Sequence, residues 1–123
     1  MKTALILFAH GARDPEWANP MRRVQAAVQA RQPGVPVELA FLEFMSPTLP
    51  ECIAGLLADG VRKIVVMPMF IARGGHLKRD LPEMLAALRV EHPGVEFVQG
   101  EAIGEHETVV QAMAAAALQE AGL

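Results

Sequence analysis

The chain has one cysteine, Cys52, so no internal disulfide can form, and this sparing use fits a reducing cytosol. It also has no apolar run near the roughly 20 residues that a membrane span needs. Met1-Lys2-Thr3 ahead of the apolar Ala4 to Ala9 has the outline of a signal peptide. That run is too short, however, and soon meets His10, Arg13 and Asp14, so a cytoplasmic protein without a membrane partner is expected. Neither a glycine fingerprint after the first strand nor a P-loop is present, which excludes dinucleotide and ATP sites. Charge is scarce too: the net value is −3, which argues against a general nucleic-acid binder and leaves room only for a local basic patch. There is no linker, low-complexity segment or convincing internal repeat, so one domain over residues 1–123 is expected. Tyrosine is absent as well, and nothing in the pattern accounts for it.

What is present is apolar and patterned. Hydrophobic residues make up 52% of the chain, enough for a real core without staples. Short apolar runs alternate with stretches of helical period. Thr3 to Ala9, Val37 to Leu42, Lys63 to Phe70 and Val95 to Gln99 read as strands. Ile64-Val65-Val66-Met67 is continuously apolar, as in a strand covered on both faces. Asp14-Pro15 and Ser46-Pro47 each combine a capping side chain with a proline that has no N–H to leave unpaired, so each reads as a helix start. Trp17, Met21, Val24 and Val28 share one face of the first helix, and Leu49, Ile53, Leu56 and Leu57 one face of the second. Asp80 and Glu83 have capping-box spacing before a third helix that buries Leu81, Leu85 and Leu88. The last helix, from about Glu105 to Ala121, turns Val109, Val110, Met113 and Leu118 toward the core. The resulting β-α order, four times over, predicts an α/β fold: a small four-stranded parallel sheet, strand order 2-1-3-4, with helices on both faces.

In open parallel sheets, ligands bind beyond the carboxyl ends of the strands where strand order reverses, here between the first and third. The loops to inspect are His10-Gly11-Ala12-Arg13-Asp14 and Ala72-Arg73-Gly74-Gly75-His76-Leu77-Lys78-Arg79-Asp80, with Glu43 at the end of the second strand. Two imidazoles and a carboxylate suit a borderline divalent ion such as Co²⁺, Ni²⁺, Fe²⁺ or Zn²⁺. Imidazole is also the side chain best able to take a proton near neutral pH. Arg13, Arg73, Lys78 and Arg79 would grip a ligand carrying several carboxylates, and Gly74 and Gly75 would let a bulky flat ligand reach the backbone. The bland readings differ by residue. Asp14 and Asp80 read as helix caps, His92 as a helix C-terminal residue, His106 as a solvated surface residue and Cys52 as core. Met67, Met69 and Met84 read as packing.

The run Leu7-Phe8-Ala9-His10-Gly11-Ala12-Arg13-Asp14-Pro15 is similar to the opening of sirohydrochlorin cobaltochelatases of the short CbiX type. So are Ala40-Phe41-Leu42-Glu43-Phe44 with Pro47, Val66-Met67-Pro68-Met69-Phe70 leading to Gly75-His76, Asp80-Leu81-Pro82, and Ala102-Ile103-Gly104. Each piece is weak alone; in this order and spacing they cover nearly the whole chain. The resemblance implies an ATP-independent chelatase, of the same broad class as protoporphyrin ferrochelatase, that inserts a divalent metal into sirohydrochlorin or a close precursor. Co²⁺ is the first choice, with Ni²⁺ or Fe²⁺ as alternatives, and the metal is a substrate, so no permanently bound cofactor is expected. It makes His10 and His76 the catalytic, metal-binding pair and Glu43 their carboxylate. It also implies a homodimer of half-sized chains with the tetrapyrrole between them. Ala12 departs from the usual serine, and no histidine-rich tail is present. Which histidine holds the ion and which takes pyrrole protons stays open. A carrier of metal or tetrapyrrole without turnover would use the same residues. His10-Gly11-x-Arg13 also resembles a histidine phosphatase loop, but Ala9 stands where that loop has arginine.

Overall fold

The computed structural model describes residues 2–72 and 74–123, apart from the side chain of His76. Its strands are β1 (Thr3–Ala9), β2 (Val37–Phe41), β3 (Lys63–Pro68) and β4 (Glu96–Gln99). They alternate with α1 (Asn19–Arg31), α2 (Leu49–Ala58), α3 (Gly75–Glu91) and α4 (Glu107–Ala121). All pairs are parallel and the order is β2-β1-β3-β4, as expected. β1 is aligned with β2 from Leu5–Val37 to Ala9–Phe41 and with β3 from Thr3–Lys63 to Phe8–Pro68. Strand order therefore reverses beside β1, and the chain leaves β1 and β3 toward the same end of the sheet.

The alternation of side chains along each strand divides the core in two. Ile6, Phe8, Ile64, Val66 and Phe97 face α2 and α3 and pack with Leu49, Ile53, Leu81 and Leu85. Leu7, Ala9, Leu39 and Phe41 face α1, meeting Met21, Val24 and Val28. β1 is central and covered on both sides, so its last four residues, Ile6 to Ala9, are all buried.

Several local expectations shift. Asp14 does cap: its Oδ1 accepts from the Glu16 N–H at 2.9 Å. What it starts is a single 3-10 turn, Pro15–Ala18, before α1, and that turn leaves Trp17 exposed rather than on the buried face. The second helix begins two residues later than Ser46-Pro47 indicated. Thr48 and Glu51 form a reciprocal capping box there, with Pro50 in the first turn. The Thr48 backbone N–H and then its hydroxyl hold the Glu51 carboxyl below its ordinary value. α3 starts at Gly75, so Asp80 and Glu83 lie inside it and cap nothing. Leu77 is buried and extends the stripe of Leu81, Leu85 and Leu88 by one turn, which outweighs the bond that Pro82 removes from the helix interior.

The last expectation fails most clearly. α4 buries no residue, and Val110, Met113 and Leu118 are exposed rather than in the core. In keeping with this, β3 is fully covered on one face only: Ile64 and Val66 are buried, whereas Val65 and Met67 on the other face are half-buried, Met67 against the α1-side core.

Cys52 is core, as expected. Burial first, and then the nearby Glu38 charge, push its thiol from an ordinary 9.0 up to about 11. At pH 8, a maleimide should modify Cys52 at least tenfold more slowly in the native protein than in denaturant, followed by mass spectrometry. On the same shift, stability is intact below pH 9.0 and falls as pH rises toward about 11, because the unfolded thiol ionises first.

Candidate functional site

The end of β1 is held to the end of β2 by main-chain bonds that continue the ladder past both strands. The Leu42 N–H donates to the Ala9 carbonyl at 2.9 Å, and the Glu43 N–H to the His10 carbonyl at 3.0 Å. Gly11 makes this approach possible. Its φ is +94°, and a Cβ there would overlap the Glu43 carbonyl. This backbone frame brings His10 and Glu43 together, with Nε2 of His10 3.0 Å from Oε1 of Glu43. The two side chains are 51% and 49% exposed, so both ring and carboxylate meet solvent.

The pair opens onto a cavity of about 510 Å³ that is also lined by Leu42, Phe70, Ala72, Gly74, Gly75, Leu77 and Asp80. Its walls come from the ends of β1, β2 and β3 and the first turns of α3, as the switch-point argument requires. Phe70 stands edge-on to Phe8, with ring centres 6.1 Å apart, and edge-on to His10 at 6.3 Å, so it braces the imidazole against the core. Gly74 and Gly75 present bare backbone to the cavity, with open space where a Cβ would stand. Gly74 caps α3 without a side-chain bond. The first N–H groups of that helix consequently lack intrahelical acceptors.

The other expected residues divide. His76 lies in the first turn of α3, its backbone between the cavity-lining Gly75 and Leu77; its side chain is outside the described set, as is the whole of Arg73. Lys78 and Arg79 are exposed on α3 and do not line the cavity. They ride a helix, not the loop that the sequence indicated. Arg13 is exposed and does not line the cavity; its guanidinium lies 4.8 Å from the centre of the Phe44 ring. Asp80 lines the cavity instead of capping a helix. His106 is not a solvated residue: it is half-buried, and its Nε2 is enclosed without a hydrogen-bond partner. Among the described residues no three His, Cys, Asp or Glu side chains converge on one metal position.

Sequence reasoning missed Phe44, Phe70 and Leu42. Phe44 is the most unusual of them. It adopts φ 66°, a left-handed conformation that a bulky residue resists, and its side chain is 57% exposed. The signal available was Leu42 and Phe44 flanking a candidate carboxylate, and Phe70 three residues before a candidate cation.

The same arrangement of strands and loops occurs in solved structures. The CbiX protein of Marinobacter aquaeolei VT8 superposes with a TM-score of 0.85 at 28% identity, over 98% of each chain. The sirohydrochlorin chelatase SirB from Bacillus subtilis subspecies spizizenii, solved in complex with cobalt, gives 0.76 at 28% identity, over 91% of this chain and 48% of SirB. Among curated proteins, a sirohydrochlorin cobaltochelatase of Saccharolobus islandicus is 35% identical over 111 residues, 85% of each chain. That of Methanococcus aeolicus is 35% identical over 88 residues, 72% of this chain and 62% of its own. The chain thus spans under two-thirds of the Methanococcus protein and about half of SirB. The sequence profile of CbiX matches residues 4–120, and with nearly the whole length accounted for, the chain belongs to the CbiX family.

Proposed function

We propose that this chain inserts a divalent metal, Co²⁺ first, into sirohydrochlorin or a close tetrapyrrole precursor without ATP, as a cytoplasmic homodimer formed from single 123-residue domains. The observation that carries this is the His10–Glu43 pair, an imidazole and a carboxylate 3.0 Å apart that line an open cavity. Insertion exchanges M²⁺ for two pyrrole protons. It therefore needs nitrogen or oxygen donors to present the ion and bases to take the protons, and imidazole beside carboxylate supplies both. His10 and His76 hold the ion or accept pyrrole protons, and Glu43 relays a proton from His10 to solvent. The half-exposed state of the pair provides that exit.

The walls suit the other half of the substrate. Leu42, Phe70 and Leu77 give a flat macrocycle apolar surface. Its carboxylates meet Arg13 beside Phe44, Lys78 and Arg79 on α3, and the free amides at the start of α3, with Arg73, outside the described residues, a further cation that the sequence supplies. The names of the relatives, sirohydrochlorin cobaltochelatase and sirohydrochlorin chelatase, support the same substrate and metal.

The test is an absorbance time course with sirohydrochlorin and Co²⁺, no ATP, against a blank without protein. Turnover beyond one product per site is expected; tight tetrapyrrole binding without acceleration by Co²⁺, Ni²⁺ or Fe²⁺ would leave a carrier instead. Phe44 has its own prediction. Phe44→Gly should raise Tm by a few degrees, since it relieves a conformation costing about 1 kcal/mol or more. The same change should raise KM for the tetrapyrrole about tenfold, with kcat within threefold, because Arg13 loses the ring that holds it in place.

A further inference from the structure

We infer that Asp80 is a positioning residue for His76: its carboxylate accepts one ring N–H of that imidazole, so that the other nitrogen keeps its lone pair for the ion or a pyrrole proton. The inference rests on the proposed chelatase reading and adds to it a second imidazole–carboxylate pair, matching that of His10 and Glu43.

The place of Asp80 in the fold is the starting point. It is exposed, and it lines the cavity together with His10, Glu43, Gly75 and Leu77. It stands beyond the first turn of α3, where the helix dipole no longer favours a negative charge, and it caps nothing. Aspartate is also among the weaker helix formers, so the stability of α3 does not account for it. Nor does affinity, because a carboxylate beside a cavity that takes a polycarboxylate ligand repels that ligand. What Asp80 contributes there is a hydrogen-bond acceptor.

The donor follows from helix geometry. Residues three and four apart share a face, whereas those one and two apart do not. Lys78 and Arg79 therefore stand away from Asp80. The positions on its own face are Leu77, Glu83, Met84 and His76, and of these side chains only that of histidine carries an N–H. A side chain on a helix covers the turn N-terminal to its own Cα, which for Asp80 is the turn of residues 76 and 77. The cavity wall that it shares with Gly75 and Leu77 agrees with this. Across the cavity, the His10 ring is already engaged by Glu43 at 3.0 Å. Asp80 is no further ligand beside that pair: among the described residues, no three His, Cys, Asp or Glu side chains converge on one metal position. An imidazole that binds a metal or moves a proton needs a partner on its second nitrogen to fix its tautomer and ring direction. Glu43 is placed to do this for His10, and Asp80 does it for His76.

Asp80→Asn keeps the size of the side chain and removes its charge. It should lower kcat for Co²⁺ insertion into sirohydrochlorin by roughly tenfold to a hundredfold, the usual cost of losing the outer partner of a metal-site histidine. KM for the tetrapyrrole should be unchanged or lower, and Tm within a few degrees of the parent. Asp80→Glu, which keeps the charge and still reaches one turn back, should return kcat to within about threefold of the parent. A second readout needs no chelation. The ¹⁵N spectrum of the ring nitrogens at pH 8 should show His76 as one dominant neutral tautomer in the parent and as a mixture in Asp80→Asn, with His10 unchanged. Identical His76 tautomers in the two proteins overturn the inference. So does a kcat within twofold of the parent in Asp80→Asn, or a loss confined to KM. A parent without turnover whose His76 tautomer depends on Asp80 removes the chelatase reading and keeps the pairing; turnover that needs His76 but not Asp80 does the reverse.

Discussion

Replacing His10 with alanine is expected to slow Co²⁺ insertion into sirohydrochlorin by roughly 10²-fold or more, the scale of a lost general base or metal ligand. The variant should fold normally. The His10 side chain is half exposed, its ring touches Phe70 only edge-on, and the main-chain bond from Glu43 uses the His10 carbonyl, which alanine keeps. A thermal melt within a few degrees of the parent therefore separates lost chemistry from lost structure. His76→Ala is expected to have an effect of the same order. Losses under tenfold in both would remove these histidines from the mechanism. Glu43→Gln distinguishes their roles further. If the carboxylate relays protons from His10, the acidic limb of the pH–rate profile changes while the affinity for Co²⁺ changes little. If Glu43 is mainly a ligand, half-saturation by the metal moves instead.

Gly11→Ala is the second change with a large expected effect, and it acts by a different route. A methyl group at this position meets the Glu43 carbonyl, and the backbone stands at φ +94°, where L residues are strained. Neither obstacle can be relieved alone. Moving the Glu43 backbone away breaks its bond to the His10 carbonyl and shifts both side chains of the pair. The expected cost is about 4 kcal/mol, in the range reserved for severe backbone conflict, with Tm lowered by about 10 °C or more. Molecules that do fold should insert metal poorly, because a displacement of about 1 Å at reacting groups costs on the order of 10²-fold. A Tm within 3 °C of the parent would mean that the two strand ends are less tightly tied than described.

The sheet was legible because its determinants are local. Apolar runs of strand length bounded by proline and glycine fix the four strands, and helix-length crossovers between them require parallel pairing. His10 and Glu43 followed from the topology, since only the ends of adjacent strands can meet there. α3 was misjudged at its start because Asp80 and Glu83 satisfy the capping-box spacing while the true cap, Gly74, carries no side-chain signal. Leu77 was the clue that was passed over, one turn upstream of the recognised stripe. Phe44 was out of reach: a left-handed phenylalanine is set by the surrounding backbone, not by any preference of its own. The periodicity of α4 was read correctly and its destination was not. A stripe states that a helix has an apolar face, but not that the sheet of its own chain will cover it.

The two main-chain bonds beyond β1 and β2 also separate robustness from reactivity. The approach of the His10 and Glu43 backbones depends on peptide groups and one glycine, and the fit of core side chains reaches the pair only through Phe8 and Phe70. Trimming a methylene from Ile53 or Leu85, both packed between helix and sheet far along the core, should reduce the folded fraction while leaving the behaviour of each folded molecule intact. Substitutions in the core would then appear as changes in yield and melting temperature at constant specific activity. A lineage of such chains is consequently free to drift through many interior packings, and so through a range of growth temperatures, without retuning its chemistry.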